Sequence, residues 1–304
     1  MAIQSLIHIR KALNSLNPNQ VRELSSKSVH VTLHAPDDSA YREMEEFLLQ
    51  DLRPARRQES AQLISRGERT LSVSGHELVV YHRRSLAPSD ALVFNPAEPD
   101  DMIHSALHRY PDAGIPLSRS FLPFRKPYIK QVISKTSREN ALFSLTTALP
   151  DIIPSVIELP WAVAEFASDT AFLTMNQVRM AFMIAAASDR AIGYREQKSE
   201  IATVIGSAFG WRALAKQLVG KIPFGGGLIA KAAVGYAGTK VLGLSLDHYY
   251  SIGFTYSRAE RDRLYADAFR QGKKVAFRIL SHTRPDIAKF FEDSSKNASR
   301  MTQS

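Results

Sequence analysis

Two stretches between Pro150 and Gly253 decide the fold: residues 169–180 read DTAFLTMNQVRM, and residues 225–242 read GGGLIAKAAVGYAGTKVL. Both are compatible with helices, and both place polar or small residues inside apolar runs. Glycine destabilises a helix interior by roughly 1 kcal/mol relative to alanine, so several glycines in one helix indicate a compensating benefit. Since the usual benefit is close approach of a neighbouring helix backbone, the sequence predicts a closely packed helical domain.

The second stretch carries residues spaced by three or four positions, as neighbours on one face of a helix are. This stripe consists of Gly227, Lys231, Gly235, Gly238 and Leu242. It predicts packing within the chain; self-association and insertion into a membrane after a conformational change are the alternatives. A phosphate-binding loop is not indicated. That motif requires a preceding strand and a Lys-Ser or Lys-Thr pair, whereas Lys231 is followed by alanine.

The first stretch belongs to a long helix that we expect over residues 160–191. Four polar residues of this helix are candidates for a buried network: Asp169, Asn176, Gln177 and Arg179. We expect them to bond Arg212 or Lys221 of neighbouring helices, because a satisfied polar network fixes helix register. A catalytic or ligand-binding role is the alternative. No histidine completes a metal site here, so we expect neither a metal nor another cofactor.

The composition excludes several classes of site. Of the 304 residues, 44% are hydrophobic and 23% charged, as expected of a folded protein. The absence of cysteine excludes disulfides, thiolate metal sites and cysteine nucleophiles. No run reaches the roughly 18 apolar residues of a membrane-spanning helix. The best candidate, residues 222–246, is interrupted by Lys231 and Lys240. We therefore expect a cytoplasmic protein that does not span a membrane.

The net charge of +9 favours anionic partners. Residues 119–130 interleave cations with aromatic residues, which is typical of a surface that docks on phospholipids or stacks nucleotides. The candidate residues for a membrane or anion surface are Arg119, Arg125, Lys126 and Lys130. A linker whose aromatic residues pack under the helical domain is the alternative. No module signature indicates a specific nucleic-acid partner.

The pattern of elements predicts an α+β/α fold, in which a small α/β N-terminal domain is followed by a helical C-terminal domain of four to five helices. The predicted boundaries are an N-terminal helix and linker over 1–27, the α/β domain over 28–127, the helical domain over 128–290 and a flexible tail over 291–304.

In the α/β domain the composition predicts strands over 29–35 and 91–94, and a hairpin of 70–73 with 77–82. Helices are predicted over 41–52 and 100–110.

Residues 114–127 contain three prolines and predict an irregular connection to the helical domain. Helices are then expected over 128–149, over 196–219, from the loop 222–227 to about residue 251, and from 257 to about 281. Gly253 is the expected stop of the third, and the pattern Ser257-x-x-Glu260 is a capping box for the fourth.

Five short segments of the helical half carry a family resemblance: residues 138–143 (RENALF), 148–154 (ALPDIIP), 173–180 (LTMNQVRM), 208–212 (AFGWR) and 221–227 (KIPFGGG). On these segments, residues 138–253 resemble domain-of-unknown-function family 697. This helical domain often follows an Era-like GTPase domain in bacterial proteins and also occurs in membrane-associated ones. The family has no settled activity, so the resemblance implies a helical fold and a GTPase or membrane context.

That context implies that residues 29–52 would occupy the place of a GTPase phosphate loop. The loop 35–40 has neither glycine nor lysine, however, and Asp37 and Asp38 would repel a phosphate. A GTPase-derived N-terminal domain would therefore be degenerate.

The sequence contains no catalytic constellation, and we expect no enzymatic activity. The leading hypothesis is a bacterial interaction or regulatory protein that acts at the cytoplasmic membrane surface, peripheral to the inner membrane, or on a partner protein. We also consider a homo-oligomer. The alternatives are a nucleotide-dependent switch with a non-standard phosphate site, and a membrane-remodelling protein that uses the Gly-rich helix hairpin.

Overall fold

A small parallel sheet with flanking helices is followed by long helices, so the protein has the α+β/α fold that the sequence predicts. The computed structural model describes residues 16–67, 77–85, 87–147, 169–204, 227–283 and 285. The chain divides into two compact units. The sheet unit consists of Pro18–Gln131 and Phe182–Gly193, and the helical unit of Met1–Asn17, Val132–Ala181 and Tyr194–Ser304.

The sheet unit alternates short helices and strands. Its elements are α1 (Pro18–Ser26), β1 (His30–His34), α2 (Asp38–Leu49), α3 (Pro54–Ala61), β2 (Ile64–Arg66), β3 (Glu77–His82), β4 (Leu92–Phe94), α4 (Pro99–Arg109), a 3-10 turn (Pro111–Ala113), α5 (Gly114–Ser120) and the first part of α6 (Leu122–Thr146).

The four strands are parallel in the order β2-β1-β3-β4. The predicted hairpin is wrong for β3, because both of its described neighbours, β1 and β4, run parallel to it. Its other expected strand, 70–73, lies outside the described residues. Strand β2 was not predicted; it has three residues, none of them buried, and therefore gives no hydrophobic alternation.

The core of the sheet unit follows from hydrophobic periodicity. Strand β3 alternates buried and half-buried residues, as a strand with one covered face does. Helix α2 buries Met44 and Leu48, which are four positions apart on one face. A pocket among α2, α4 and the sheet is lined by apolar side chains only, including Val31 and Phe94. This pocket offers no group for acid–base chemistry.

The expected proline-rich connection is instead helical, because its prolines stand where helices tolerate them. Pro116 lies in the first turn of α5, and Pro123 in the first turn of α6, where backbone N–H groups have no helical partner. Pro127 is inside α6 and removes one helical hydrogen bond. Burial of Phe121 and Phe124 stabilises the start of this helix and offsets that loss.

Four long helices supply most of the described helical unit: α6 from Val132 on, α7 (Asp169–Ala187) up to Ala181, α8 (Gly227–Ile252) and α9 (Arg258–Thr283). Residues 198–204 are also helical, and the remainder of the helix predicted over 196–219 lies outside the described residues.

Helix α7 ends at Ala187, earlier than the predicted residue 191. Asp189 adopts a left-handed backbone with φ 58°, and its N–H donates to Ala186 O at 3.1 Å. Arg190 N–H donates to Ala185 O at 2.9 Å. These two bonds form a Schellman cap with aspartate in the position that glycine usually holds.

Helices α8 and α9 form an antiparallel hairpin whose ends follow the predicted signals. Gly253 has φ 82° and its N–H donates to Tyr249 O at 2.8 Å, which terminates α8. Ser257 N–H and Oγ donate to Glu260 Oε2 at 2.8 and 2.7 Å, so the predicted capping box starts α9. Helix α9 packs against α8 through a stripe of mostly small residues: Ala268, Gly272, Ala276 and Leu280.

Candidate functional site

A polar cluster lies where α6, α7 and α8 meet inside the helical unit. Its members are Glu139 and Asn140 of α6, Asn176 and Gln177 of α7, and Thr239 of α8. All of them are buried except Glu139, which is half-buried. Because a buried polar group without a partner costs free energy, each member of the cluster needs hydrogen-bond partners inside the protein.

The hydroxyl of Thr239 is the centre of the cluster. It donates to Gly235 O, one turn earlier on α8, at 2.8 Å. It accepts from Asn140 Nδ2 at 2.7 Å and from Gln177 Nε2 at 3.0 Å. One donor and two acceptor sites are therefore all used, and the amide groups of two helices meet on a third.

Asn176 joins α7 to α6 directly. Its Nδ2 donates to Asn140 Oδ1 at 2.9 Å and to Glu139 Oε2 at 3.1 Å, which uses both amide hydrogens. Gln177 Oε1 is buried and has no hydrogen-bond partner among the described residues. The cluster is thus nearly satisfied, with one carbonyl oxygen as the exception.

The cluster is packed rather than open. A β-carbon at Gly235 would lie 2.9 Å from Ser144 Oγ and 3.3 Å from Asn140 O, so the backbones of α8 and α6 approach closely there. Its side chains are three neutral amides, one hydroxyl and the carboxylate of Glu139. Among the described residues, no group of three His, Asp or Glu side chains is placed to hold a metal ion. This arrangement suits register specification between helices.

The structure brings two of the four predicted network residues together, Asn176 and Gln177. The side chain of Asp169, and the expected partners Arg212 and Lys221, lie outside the described residues. Arg179 is half-buried on α7 and makes other contacts.

Asn140 and Thr239, which are the hydrogen-bond partners of Asn176 and Gln177, were not predicted. Asn140 follows the polar run 134–139 and Thr239 is followed by Lys240, so neither residue stands out in the sequence.

The glycine stripe of α8 faces the interior. Gly227, Gly235 and Gly238 are buried, whereas Lys231 is half-buried and its Nζ donates to Thr147 Oγ1 at 3.2 Å. Within the described helical unit, the stripe therefore contributes to packing inside the chain.

The four candidate cations of residues 119–130 differ in their surroundings within the sheet unit. The guanidinium of Arg119 donates to Ser25 O at 3.0 Å and pairs with Asp189 at 2.9 Å. Arg125 donates to Ser118 O at 3.2 Å, and burial lowers the pKa of its guanidinium. Both arginines are thus bound by the protein itself. The remaining two, Lys126 and Lys130, are exposed.

The carboxyl ends of β1 and β3 form the switch point of the sheet, where open parallel sheets usually bind ligands. Asp37 caps α2 here: its carboxylate accepts Ala40 N–H at 2.8 Å, and this bond, with Arg84 nearby, lowers the pKa of Asp37. His34 stacks on Tyr81 with ring centroids 4.6 Å apart. The protein's own carboxylate therefore occupies the helix end that a phosphate would use, which weighs against a nucleotide there.

A cationic ridge runs along the face of α9 that points away from α8. It consists of Arg263, Asp267, Arg270, Lys274 and Arg278, spaced by four, three, four and four positions, and all five are exposed. At about 100° per residue, the ridge lies opposite the small-residue stripe that packs on α8. One carboxylate, Asp267, pairs with Arg270, so the ridge carries an excess of positive charge over about 22 Å.

In the part of the chain that the structure describes, no helix is long and apolar enough to cross a bilayer. Comparison with known proteins gave no match to a family model, to a curated protein or to a solved structure.

Proposed function

We propose that this protein is a non-enzymatic interaction protein that docks on an anionic membrane surface through the α9 ridge. The observation that carries this proposal is the exposure of four cations on one helical face, with Asp267 as the one acidic residue between Arg263 and Arg278. A helix surface of this kind attracts anionic lipids because headgroup charge and side-chain charge are complementary.

The magnitude is sufficient for reversible docking. Each Lys or Arg near an anionic leaflet contributes about 1 kcal/mol. The net excess of the ridge therefore gives about 3 kcal/mol, which corresponds to an increase in affinity on the order of 100-fold over a neutral surface. Because the ridge is exposed, salt should weaken this contribution strongly.

The buried polar cluster supports an interaction role rather than catalysis. Its amide groups donate from one helix to another, and its central hydroxyl has no free donor or acceptor site for a substrate. We therefore assign this cluster to the stability of the surface that α8 and α9 present.

Co-sedimentation with phospholipid vesicles tests the proposal. The full chain should bind vesicles that contain phosphatidylserine at low ionic strength, bind phosphatidylcholine vesicles much more weakly, and dissociate as salt is added. The double variant Arg270→Glu, Lys274→Glu should lose most of this binding.

The matched control is the double variant Lys126→Glu, Lys130→Glu, which changes the net charge equally at the other basic surface that the sequence indicates. It should retain most of the binding. An equal loss in both variants would show that total charge, and not the ridge, determines binding. No binding of the unmodified chain at low salt would refute docking on a membrane.

A further inference from the structure

Three of the large hydrophobic side chains that the structure exposes lie within six residues of one another. They are Tyr249, Ile252 and Phe254, with 40%, 56% and 74% of their surface exposed, at the turn between α8 and α9. We call this group the apolar tip. Phe254 and Ile252 are more exposed than the other large hydrophobic residues of the described chain. A cluster of this kind usually marks a surface that another apolar phase covers.

The turn that carries the apolar tip is held in place by specific contacts. Gly253 and the capping box fix its two ends, as described above. Tyr256 stacks on His248 with ring centroids 4.0 Å apart. The hydroxyl of Tyr250 donates to Glu200 at 3.1 Å. Exposure of Ile252 and Phe254 is therefore a property of an ordered turn.

We infer that the apolar tip enters the interfacial layer of the bilayer on which the α9 ridge docks. This inference rests on the proposed function and names how the turn that precedes the ridge engages lipid. The tip directly precedes α9, and the ridge begins at Arg263, less than two turns into that helix. An anionic bilayer is the partner that offers negative charge to the ridge and an apolar layer to the tip.

Other occupants fit the surface less well. A second copy of the chain would bring two cationic ridges together. An acidic protein would complement the ridge but would need an apolar groove beside its carboxylates to cover Phe254. A bilayer supplies both without a specific shape. Tyr249 suits the headgroup level, since tyrosine combines an apolar ring with a polar hydroxyl.

The chain contains no cysteine, so one introduced cysteine gives a single labelling site. Phe254→Cys should be labelled with an environment-sensitive fluorophore and mixed with phosphatidylserine-containing vesicles. The emission should shift to the blue and rise several-fold as the label leaves water. Tyr110→Cys, at another exposed aromatic position, is the control and should show no shift. Far-UV circular dichroism verifies that both labelled chains are folded.

Truncation gives a second readout that needs no label. Phe254→Ala should lower the vesicle partition coefficient about tenfold, because it removes most of a buried phenyl group. Its salt dependence should stay that of the unmodified chain, since no ridge charge changes.

The outcomes separate this inference from the proposed function. If the chain sediments with vesicles but the label at residue 254 stays in water, the tip does not insert, and docking by the ridge stands. If the label inserts equally into vesicles without anionic lipid, the tip inference holds and the ridge proposal fails. If the chain binds neither kind of vesicle at low salt, both are wrong.

Discussion

Gly272 of α9 should not tolerate alanine, although alanine is the better helix former. A β-carbon at this position would lie 2.9 Å from Ala233 Cα, 3.0 Å from Ala233 O and 3.0 Å from Tyr236 Cβ. Carbon atoms in contact prefer separations of about 3.5–4.0 Å. Two of these three atoms belong to the backbone of α8 and cannot rotate aside. The helices must therefore separate by several tenths of an ångström.

The expected free-energy change combines two opposing effects. Overpacking in a filled core costs about 1–3 kcal/mol, and rigid backbone contacts place Gly272 near the upper end. Replacing glycine in a helix interior gains about 1 kcal/mol of helix propensity. The net destabilisation of Gly272→Ala should thus be about 1–2 kcal/mol, which corresponds to a decrease in Tm of several degrees.

Urea denaturation and thermal melting of the full chain measure this difference. Ala266→Gly is the matched control. Residue 266 is exposed on the same helix, so this substitution changes only the helix propensity. It should destabilise the protein by about 1 kcal/mol. If Gly272→Ala instead raises the Tm by about the amount that Ala266→Gly lowers it, α8 and α9 do not approach as closely as described.

Three further predictions concern hydrogen bonds and caps. Thr239→Val should cost about 2–4 kcal/mol in urea denaturation, because two buried amide N–H groups lose their acceptor. Thr174→Val is its control and should be nearly neutral, since that equally buried hydroxyl bonds only the carbonyl one turn earlier. Asp189→Asn should destabilise the protein by about 1 kcal/mol, because it removes the ion pairs of Asp189 with Arg56 and Arg119. Asp189→Ala should cost about 1 kcal/mol more, because alanine disfavours a positive φ. Hydrogen bonds from Ser257 lower the pKa of Glu260, so this cap stabilises the fold at a pH above the ordinary pKa of a glutamate, and its contribution is lost as the pH falls through the lowered pKa. The urea midpoints of the wild type and Ser257→Ala should therefore converge in acid; a difference that persists there would contradict the cap.

The long helices were the more predictable part of the fold because their signals are local. Gly253 directly follows the last residue of α8, and Ser257, which starts the capping box, directly precedes the first residue of α9. The end of α7 was missed because Asp189, which lies inside the predicted helix 160–191, takes a left-handed backbone. Aspartate tolerates that conformation well enough to cap a helix, but it gives a weaker signal than glycine.

Interactions between distant segments were predictable only in kind. The sequence indicated that Asn176 and Gln177 would form hydrogen bonds to neighbouring helices. It did not indicate that Asn140 and Thr239 would be their partners. Their pairing depends on which faces of α6 and α8 meet, and residue spacing within one helix does not contain that information. The same holds for Arg119, whose charge is visible in the sequence but whose bond to Ser25 O is not.

The polar cluster and the small-residue contacts together determine how firmly the α8–α9 hairpin presents its turn. A slip of α8 by one residue would put Gly238 or Lys240 in the place of Thr239. Neither side chain can accept the two amide donors, so each orphaned N–H would cost about 1–3 kcal/mol. On the other side of α8, the contact between Gly272 and Ala233 leaves little room for adjustment. A hairpin held in one register presents Phe254 with a smaller loss of backbone entropy on docking than a mobile turn would have. Most of the free energy of burying that ring is then available for membrane binding.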